Sequence, residues 1–391
     1  MRFTSKVLVL PLVLALFGCN STVKEKPIVL NNTNNLYLDN SFPSSKSANI
    51  ETEEEIFALS DEMKEMVKTK LLTQKDHRKR ANKLLRQLFL TNQIDISYNS
   101  QANLIAKEAY NSKQANCMSL TILAYALAKE AGLNVKFQDV QIPEYWVRNG
   151  EFNMLTGHVN LLLQRPVEDN RIVLLDRNIL EIDFDPFVAK KRFPKKEISK
   201  ATVVSMFYNN KGAQAMVRGE YDLAYAYFKA ATVKDPSFSA SWGNLAILYR
   251  FTEHFDVSIE AYRHAIAIDD ENLTALSNFA VLLNKIGEES MASEISNRIY
   301  EKRKHNPYFY ALLADEELHK GNFETAISYY KKAIRLDQTE HEFYFGLARA
   351  YYLNNNSRSA EFALRKAIAL NKVKSIDDRY IAKLAVLKQT T

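Results

Sequence analysis

The sequence predicts an α+β domain followed by an all-α solenoid. Two observations carry the prediction. Between residues 51 and 200, helical periodicity gives way to runs rich in Val, Ile, Leu and Phe. From Ser205 onward the chain repeats every 34 residues with no insertion. A chain of 391 residues holds two or three ordinary domains, and 47% hydrophobic with 25% charged residues is a globular composition.

The chain opens on what reads as an export leader over residues 1–19. Arg2 and Lys6 precede an apolar core, Val7 to Phe17, of 11 residues, too short for an ordinary membrane span and interrupted by Pro11. Leu16-Phe17-Gly18-Cys19 resembles a bacterial lipobox, with Phe17 where a small residue is usual. The resemblance implies that Cys19 is lipidated, becomes the new N-terminus and binds a lipid bilayer. An ordinary cleaved signal is the alternative. Asn20, rather than aspartate, then points to an outer-membrane lipoprotein facing the periplasm of a bacterial envelope. Residues 20–50, rich in Asn and Ser, read as a flexible tether reaching roughly 30 Å.

The net charge is +6, or about +4 without Arg2 and Lys6. That balance does not argue for nucleic acid, and the basic run Lys75 to Arg80 with Lys83 reads as a solvated helix end. No cofactor is implied. Nothing matches His-Glu-x-x-His, and the 10 glycines form no phosphate loop or dinucleotide fingerprint.

Within the α+β domain, 51–200, Thr52 and Glu55 fit a capping box. Ile56, Leu59, Met63, Met66 and Val67 then recur on one helical face. A second helix carries Leu84, Leu85, Leu88 and Phe89, and a third spans Gln101 to Tyr110. A fourth runs from Cys117 to Ala131, closed by Gly132. Strands are predicted at Val135–Val140, His158–Leu163, Ile172–Leu175 and Ile179–Phe184.

The 34-residue frames begin at Ser205, Ser239, Leu273, Pro307 and His341 and cover 205–374. Position eight is small throughout: Gly212, Ala246, Ala280, Ala314, Ala348. Position four is large: Tyr208, Trp242, Leu276, Tyr310, Tyr344. Small residues recur where helices approach closely, and large ones where they fill the gap. Gly219, Gly287 and Gly321 punctuate the turn. These frames resemble five tetratricopeptide repeats, with residues 375–391 supplying a capping helix, Asp377 to Lys388. The resemblance implies a groove lined by the first helix of each repeat and a protein or peptide partner within it. Arg250, Phe251, Asn284, Lys285, Arg349 and Tyr352 would face that groove. A solvated surface without a fixed ligand is the competing role.

Cys19 and Cys117 are the only cysteines. If Cys19 is acylated, Cys117 has no disulfide partner, and a lone thiol in an oxidising compartment points to use; a buried inert cysteine is the alternative. Cys117 opens an apolar helix, where the helix N-terminus favours a thiolate and peptide N–H groups face a developing oxyanion. Of the seven histidines five lie in the repeats and His77 in the basic run, leaving His158 in strand sequence of the same domain. The orienting carboxylate is Asp176, Asp183 or Asp185. Asp183 is favoured: it sits inside a strand pattern, opposite Leu180, Ile182 and Phe184. Asp176 reads as a turn residue, and Asp185 precedes Pro186.

Asn116-Cys117 before an apolar helix, Gly132-Leu133 before a strand, His158 at a strand start and Asp183 in a later strand resemble the transglutaminase-like superfamily, whose core is papain-like. More closely, Asn116 to Trp146 with His158-Val159-Asn160 and Asp183-Phe184 resembles bacterial proteins that join such a core to tetratricopeptide repeats. The resemblance implies Cys117 as nucleophile, His158 as general base then acid, and Asp183 as orienting carboxylate. Ala115 departs from the glycine many relatives carry there. Gln114 or Gln101 would add an oxyanion donor, against an ordinary surface role. Tyr145 and Trp146 would line a cleft beside the thiol, against core packing.

Two functions compete. In one, an acyl group passes through a Cys117 thioester to water or an amine while the repeats recruit the protein carrying it. In the other, the chain is a catalytically inactive scaffold for envelope assembly.

Overall fold

Local capping sets the first elements. Thr52 N–H donates to Glu55 Oε2 (2.8 Å) and Glu55 N–H to Thr52 Oγ1 (3.2 Å), starting helix α1, Glu53–Phe57. The structure, a computed structural model, describes residues 33–89, 97–99, 101–149, 152–164, 178–184, 193–371, 380, 381 and 383. The periodic stretch after Thr52 is two helices rather than one. Ser60 Oγ accepts from Met63 N–H at 3.3 Å and caps a separate helix, α2, Asp61–Met66. Next come α3 (His77–Phe89) and α4 (Ala106–Ser112). The expected third helix begins at Ala106 instead of Gln101, because the preceding residues are pinned to the next helix. Ser119 Oγ accepts from Leu104 N–H (2.7 Å) and donates to Ala102 O (2.9 Å).

Helix α5, Cys117–Glu130, forms the centre of the domain. Asn116 caps it by accepting from Ser119 N–H at 2.8 Å, and Gly132 closes it at φ +67°. Strands β1 (Ser97–Tyr98) and β2 (Gln114–Ala115) form a short parallel pair beside its start. A second, antiparallel sheet has the order β5-β4-β3-β6, built from β3 (Asn134–Asn149), β4 (Phe152–Gln164), β5 (Asn178–Ile182) and β6 (Lys195–Ile198). The highly charged β6 lacks the apolar alternation by which a strand is read, as suits an edge strand. The expected strand Ile172–Leu175 lies outside the described residues. Val135, Phe137, Val159, Leu161, Leu163 and Ile182 bury one sheet face in a core shared with Ile122, Leu123 and Leu127 of α5.

That core also takes in Val203, Phe207 and Tyr208, so the two domains pack as neighbours. The C-terminal part consists of five helix pairs: α6 and α7 (Lys200–Val217, Tyr221–Lys234), α8 and α9 (Ser239–Phe251, Phe255–Ile268), α10 and α11 (Leu273–Lys285, Glu289–Arg303), α12 and α13 (Pro307–His319, Phe323–Leu336), α14 and α15 (His341–Leu353, Ser357–Leu370). The turn inside each pair has one left-handed residue. Gly219, Gly287 and Gly321 take it without steric cost, while Glu253 (φ 63°) and Asn355 (φ 57°) take it despite their side chains. Position eight is packed tightly: a Cβ at Gly212 would lie 2.7 Å from the Phe228 ring. Of the expected capping helix, Tyr380 is buried and stacks on Phe345 at 4.6 Å; most of the remainder lies outside the described residues.

The expected tether, 20–50, is corrected for its described part. Residues 33–50 form a strap bound to the first two repeats, with 3-10 turns at Asn34–Leu36 and Pro43–Ser47. Leu36 and Phe42 are each only 3% exposed, and Phe42 stacks on Tyr225 at 4.5 Å. Asp39 accepts from Tyr225 Oη (2.7 Å) and Lys229 Nζ (2.5 Å), and Tyr249 Oη donates to Leu36 O (2.5 Å). The Asn- and Ser-rich composition hid two apolar anchors that fill an aromatic slot. Residues 20–32, like the leader and Cys19, lie outside the described residues.

Candidate active site

Cys117 is the first residue of α5, partly exposed and outside any disulfide. Its place follows from the Asn116 cap, which turns the chain into the helix and leaves the first peptide N–H groups of α5 without helical partners. His158 stands on β4 opposite Val140 of β3 and is only 3% exposed. Its Nε2 lies 2.8 Å from Asp183 Oδ1, and the Cys117 side chain neighbours the ring. With Nε2 engaged by the carboxylate, Nδ1 is the nitrogen left for the thiol. Asp183 directly follows β5, and its side chain is 4% exposed. The fold thus brings together three residues that lie 25 and 41 positions apart along the chain. Asp176 and Asp185 lie outside the described residues.

Opposing effects set the charge of His158. Burial by itself would depress its pKa. The bonds to Asp183 and Cys117, with their negative charge, overcome that and raise it from 6.5 to about 9. An imidazolium is therefore the form at neutral pH. Nearby Asp139 is shifted upward by burial, against the pull of Lys196 and His158.

Sequence reasoning missed the polar network behind the carboxylate. Asn160 is wholly buried, and its Nδ2 donates to Asp183 Oδ2 (3.1 Å) and Glu181 Oε1 (3.0 Å). Lys195 of β6 donates to both Glu181 oxygens, at 2.6 and 2.7 Å. A signal was available: residues two apart on a strand share a face, so His158 points the way to Asn160, and Asp183 to Glu181.

Gln114 is exposed and accepts from Asn99 Nδ2 at 3.0 Å, while Gln101, also exposed, accepts at its backbone O from Gln214 at 3.0 Å. Both contacts fit the surface role. Tyr145 and Trp146 pack against the repeats. The register of β3 and β4 shifts between Val140 and Tyr145, and the hairpin beyond becomes an arm against the fourth repeat. Tyr145 meets the Tyr308 ring at 5.8 Å, and the Arg303 guanidinium lies over Trp146 at 4.8 Å. Arg303 also holds the Glu144 carboxylate through Nε and Nη2, both at 2.7 Å. The two rings therefore join domains.

The six expected groove residues all lie on first helices of their pairs. Arg250 and Phe251 are on α8, Asn284 and Lys285 on α10, Arg349 and Tyr352 on α14. Arg250 lies over the Phe251 ring at 4.9 Å, Lys285 over Phe255 at 4.7 Å, and Arg349 donates to Asp315 at 3.0 Å. Phe251 and Tyr352 are 40% and 44% exposed, apolar surface that a partner would cover.

The family matches fall on the repeats. The family described as tetratricopeptide repeat matches residues 239–272 and 341–374, the spans of the second and fifth frames, and a family described as TPR repeat matches 314–355. The chain is 30% identical over 187 residues to an uncharacterised protein of Rickettsia prowazekii, covering 43% of this chain and 54% of that protein. It is 24% identical over 166 residues to Superkiller protein 3 of Schizosaccharomyces pombe, covering 40% of this chain and 12% of that one. It thus spans about half, or far less, of the length of these relatives. Among solved structures it is similar to Pseudomonas aeruginosa pilF, with 18% identity, 49% of this chain and 87% of that chain covered, and a TM-score of 0.31. The C-terminal part of this chain is an all-helical solenoid of tetratricopeptide repeats.

Proposed function

We propose that this chain is a partner-binding repeat protein whose N-terminal domain is transglutaminase-like and carries a thiol acyl-transfer site. The repeats support protein docking. The His158 ring, 2.8 Å from Asp183 and beside Cys117 at the start of α5, supports the chemistry, and it is the observation that carries this reading. In the proposed reaction the Cys117 thiolate attacks an amide carbonyl carbon, and the N–H groups at the start of α5 receive the oxyanion. His158 passes its proton to the departing amine as the C–N bond breaks, leaving a thioester. Water or a second amine then attacks the thioester, His158 takes the nucleophile's proton, and sulfur leaves as thiolate. A carboxylic acid or a new amide results. Asp183 keeps the imidazole oriented throughout. The groove bearing Arg250, Phe251, Asn284, Lys285, Arg349 and Tyr352 presents the partner that carries the amide. A lipid on Cys19 holds the protein at the outer membrane, facing the periplasm; palmitate labelling of the wild type and of Cys19→Ala tests that anchor.

Iodoacetamide kinetics across pH 5–9 test the thiol. Cys117 should be alkylated at pH 6 about tenfold faster than an ordinary thiol, whose pKa is about 8.5, and His158→Ala should abolish the excess. Equal, slow labelling of both proteins removes the chemistry. The second reading, a scaffold with no turnover, is favoured by the confinement of every matched family to residues 239–374. It would then stand alone.

A further inference from the structure

We propose that Asn160 is the positioning residue that holds Asp183 toward His158, with Glu181 and Lys195 as its outer support. The inference rests on the acyl-transfer reading above and adds to it a residue that touches neither sulfur nor substrate. Asn160 lies two positions beyond His158 on β4, on the same face. Both acceptors of its Nδ2 are carboxylates, at 3.0 and 3.1 Å. Carboxylates only accept when ionised, so the amide orientation is fixed: nitrogen faces Glu181 and Asp183, and oxygen faces away. Asp183 thereby gives Oδ2 to Asn160 and Oδ1 to the imidazole.

Charge explains why a donor stands at this point. Glu181 and Asp183 are two residues apart and share a face, so two carboxylates converge behind one histidine. The Asn160 N–H groups occupy the space between them. Lys195 neutralises Glu181 from the opposite edge of the sheet, because β4 and β3 separate β5 from β6. The ion pair spans the polar face and covers the buried amide. Remove the amide, and one carboxylate must turn away or take a proton. In either case the imidazole loses the acceptor that fixes its ring. The other titratable groups facing this site are Cys117 from α5, Asp139 from β3 and Lys196 from β6, and none of them bonds to the Asn160 amide nitrogen.

The experiment uses the full chain and two readouts that simple loss of packing does not move. One is the iodoacetamide rate at Cys117 against pH; the other is the His158 titration followed by NMR of histidine-labelled protein. Asn160→Leu should lower the His158 midpoint by about one pH unit and slow labelling at pH 6 about tenfold, one unit corresponding to a factor of ten. Asn160→Gln, which retains the amide, should restore part of both. If Asn160→Leu fails to fold, Asn160→Ser keeps one donor and should give a smaller shift in the same direction. A wild-type titration and pH profile in the folded Leu or Ser variant overturns the proposal. If the wild type labels no faster than an ordinary thiol, the acyl-transfer reading falls by itself, and the His158 titration still decides whether Asn160 positions Asp183.

Discussion

At His158 the same bonds that orient the ring also tie folding to pH. Its folded pKa, about 9, lies above the ordinary value of 6.5. A group raised in this way stabilises the fold fully below about pH 6.5 and loses that contribution as pH rises through about 9. Urea denaturation should therefore show wild-type stability falling between those limits. Asp183→Asn, which removes the charge opposite the ring, should flatten that slope; an unchanged slope would assign the pH dependence to other groups. Much of this site was legible in the chain because its chemistry needs particular residue types. A thiol at a helix start and one histidine in strand sequence are hard to mistake. Asn160 was not legible by type, since an asparagine in a strand has no distinctive pattern until a pair of carboxylates is seen beside it.

Among the elements, the strap over residues 33–50 departs most from what composition suggests. Polar composition argues for disorder when apolar residues are too few to offset the entropy of ordering. Here Leu36 and Phe42 suffice, because the slot that receives them is already built by Tyr225, Trp242 and Tyr249. Phe42→Ala removes a ring stacked at 4.5 Å and wholly enclosed, and should cost about 3 kcal/mol. The strap should then become a site of rapid proteolytic nicking, while the repeats, residues 200–371, remain resistant. A strap that stays protected in the variant would place its anchoring elsewhere, on Leu36 and the Asp39 contacts. The left-handed turns point to the same principle. Sequence marks them by glycine in three repeats, yet Glu253 and Asn355 adopt the same backbone because the helix pair on either side dictates it.

For the whole molecule, the arm formed by β3 and β4 sets how the two domains act together. The domains meet through the shared core at α6 and again, far along the chain, through Glu144 and Arg303. The Arg303 side chain is 4% exposed, so it depends on that carboxylate for its charge partner. Glu144→Ala leaves a buried cation unpaired and should cost about 2–4 kcal/mol at this joint. Small-angle scattering should then report a larger radius of gyration with helical content preserved. Unchanged dimensions would mean that Trp146, Tyr145 and the Asn306 contact hold the arm without the ion pair. The joint also sets a distance. Val140, opposite His158, and Trp146, at the fourth repeat, are six residues apart on one strand, a span of about 20 Å.

The chain by itself determined the 34-residue periodicity, the capped helix that opens at Cys117, the β-strand holding His158 and the left-handed turns marked by glycine. Each is a local matter of side-chain size, capping and alternation, and such patterns survive in one dimension. Tertiary structure alone decided that Asn160 joins two carboxylates, that Tyr145 and Trp146 pack against the repeats, that the charged β6 lies at the edge of the sheet, and that an Asn-rich segment lies bound in an aromatic slot. Each of these depends on contacts between residues remote in sequence, where the gain comes from a surface another element supplies. No window of the chain contains both halves of such a contact.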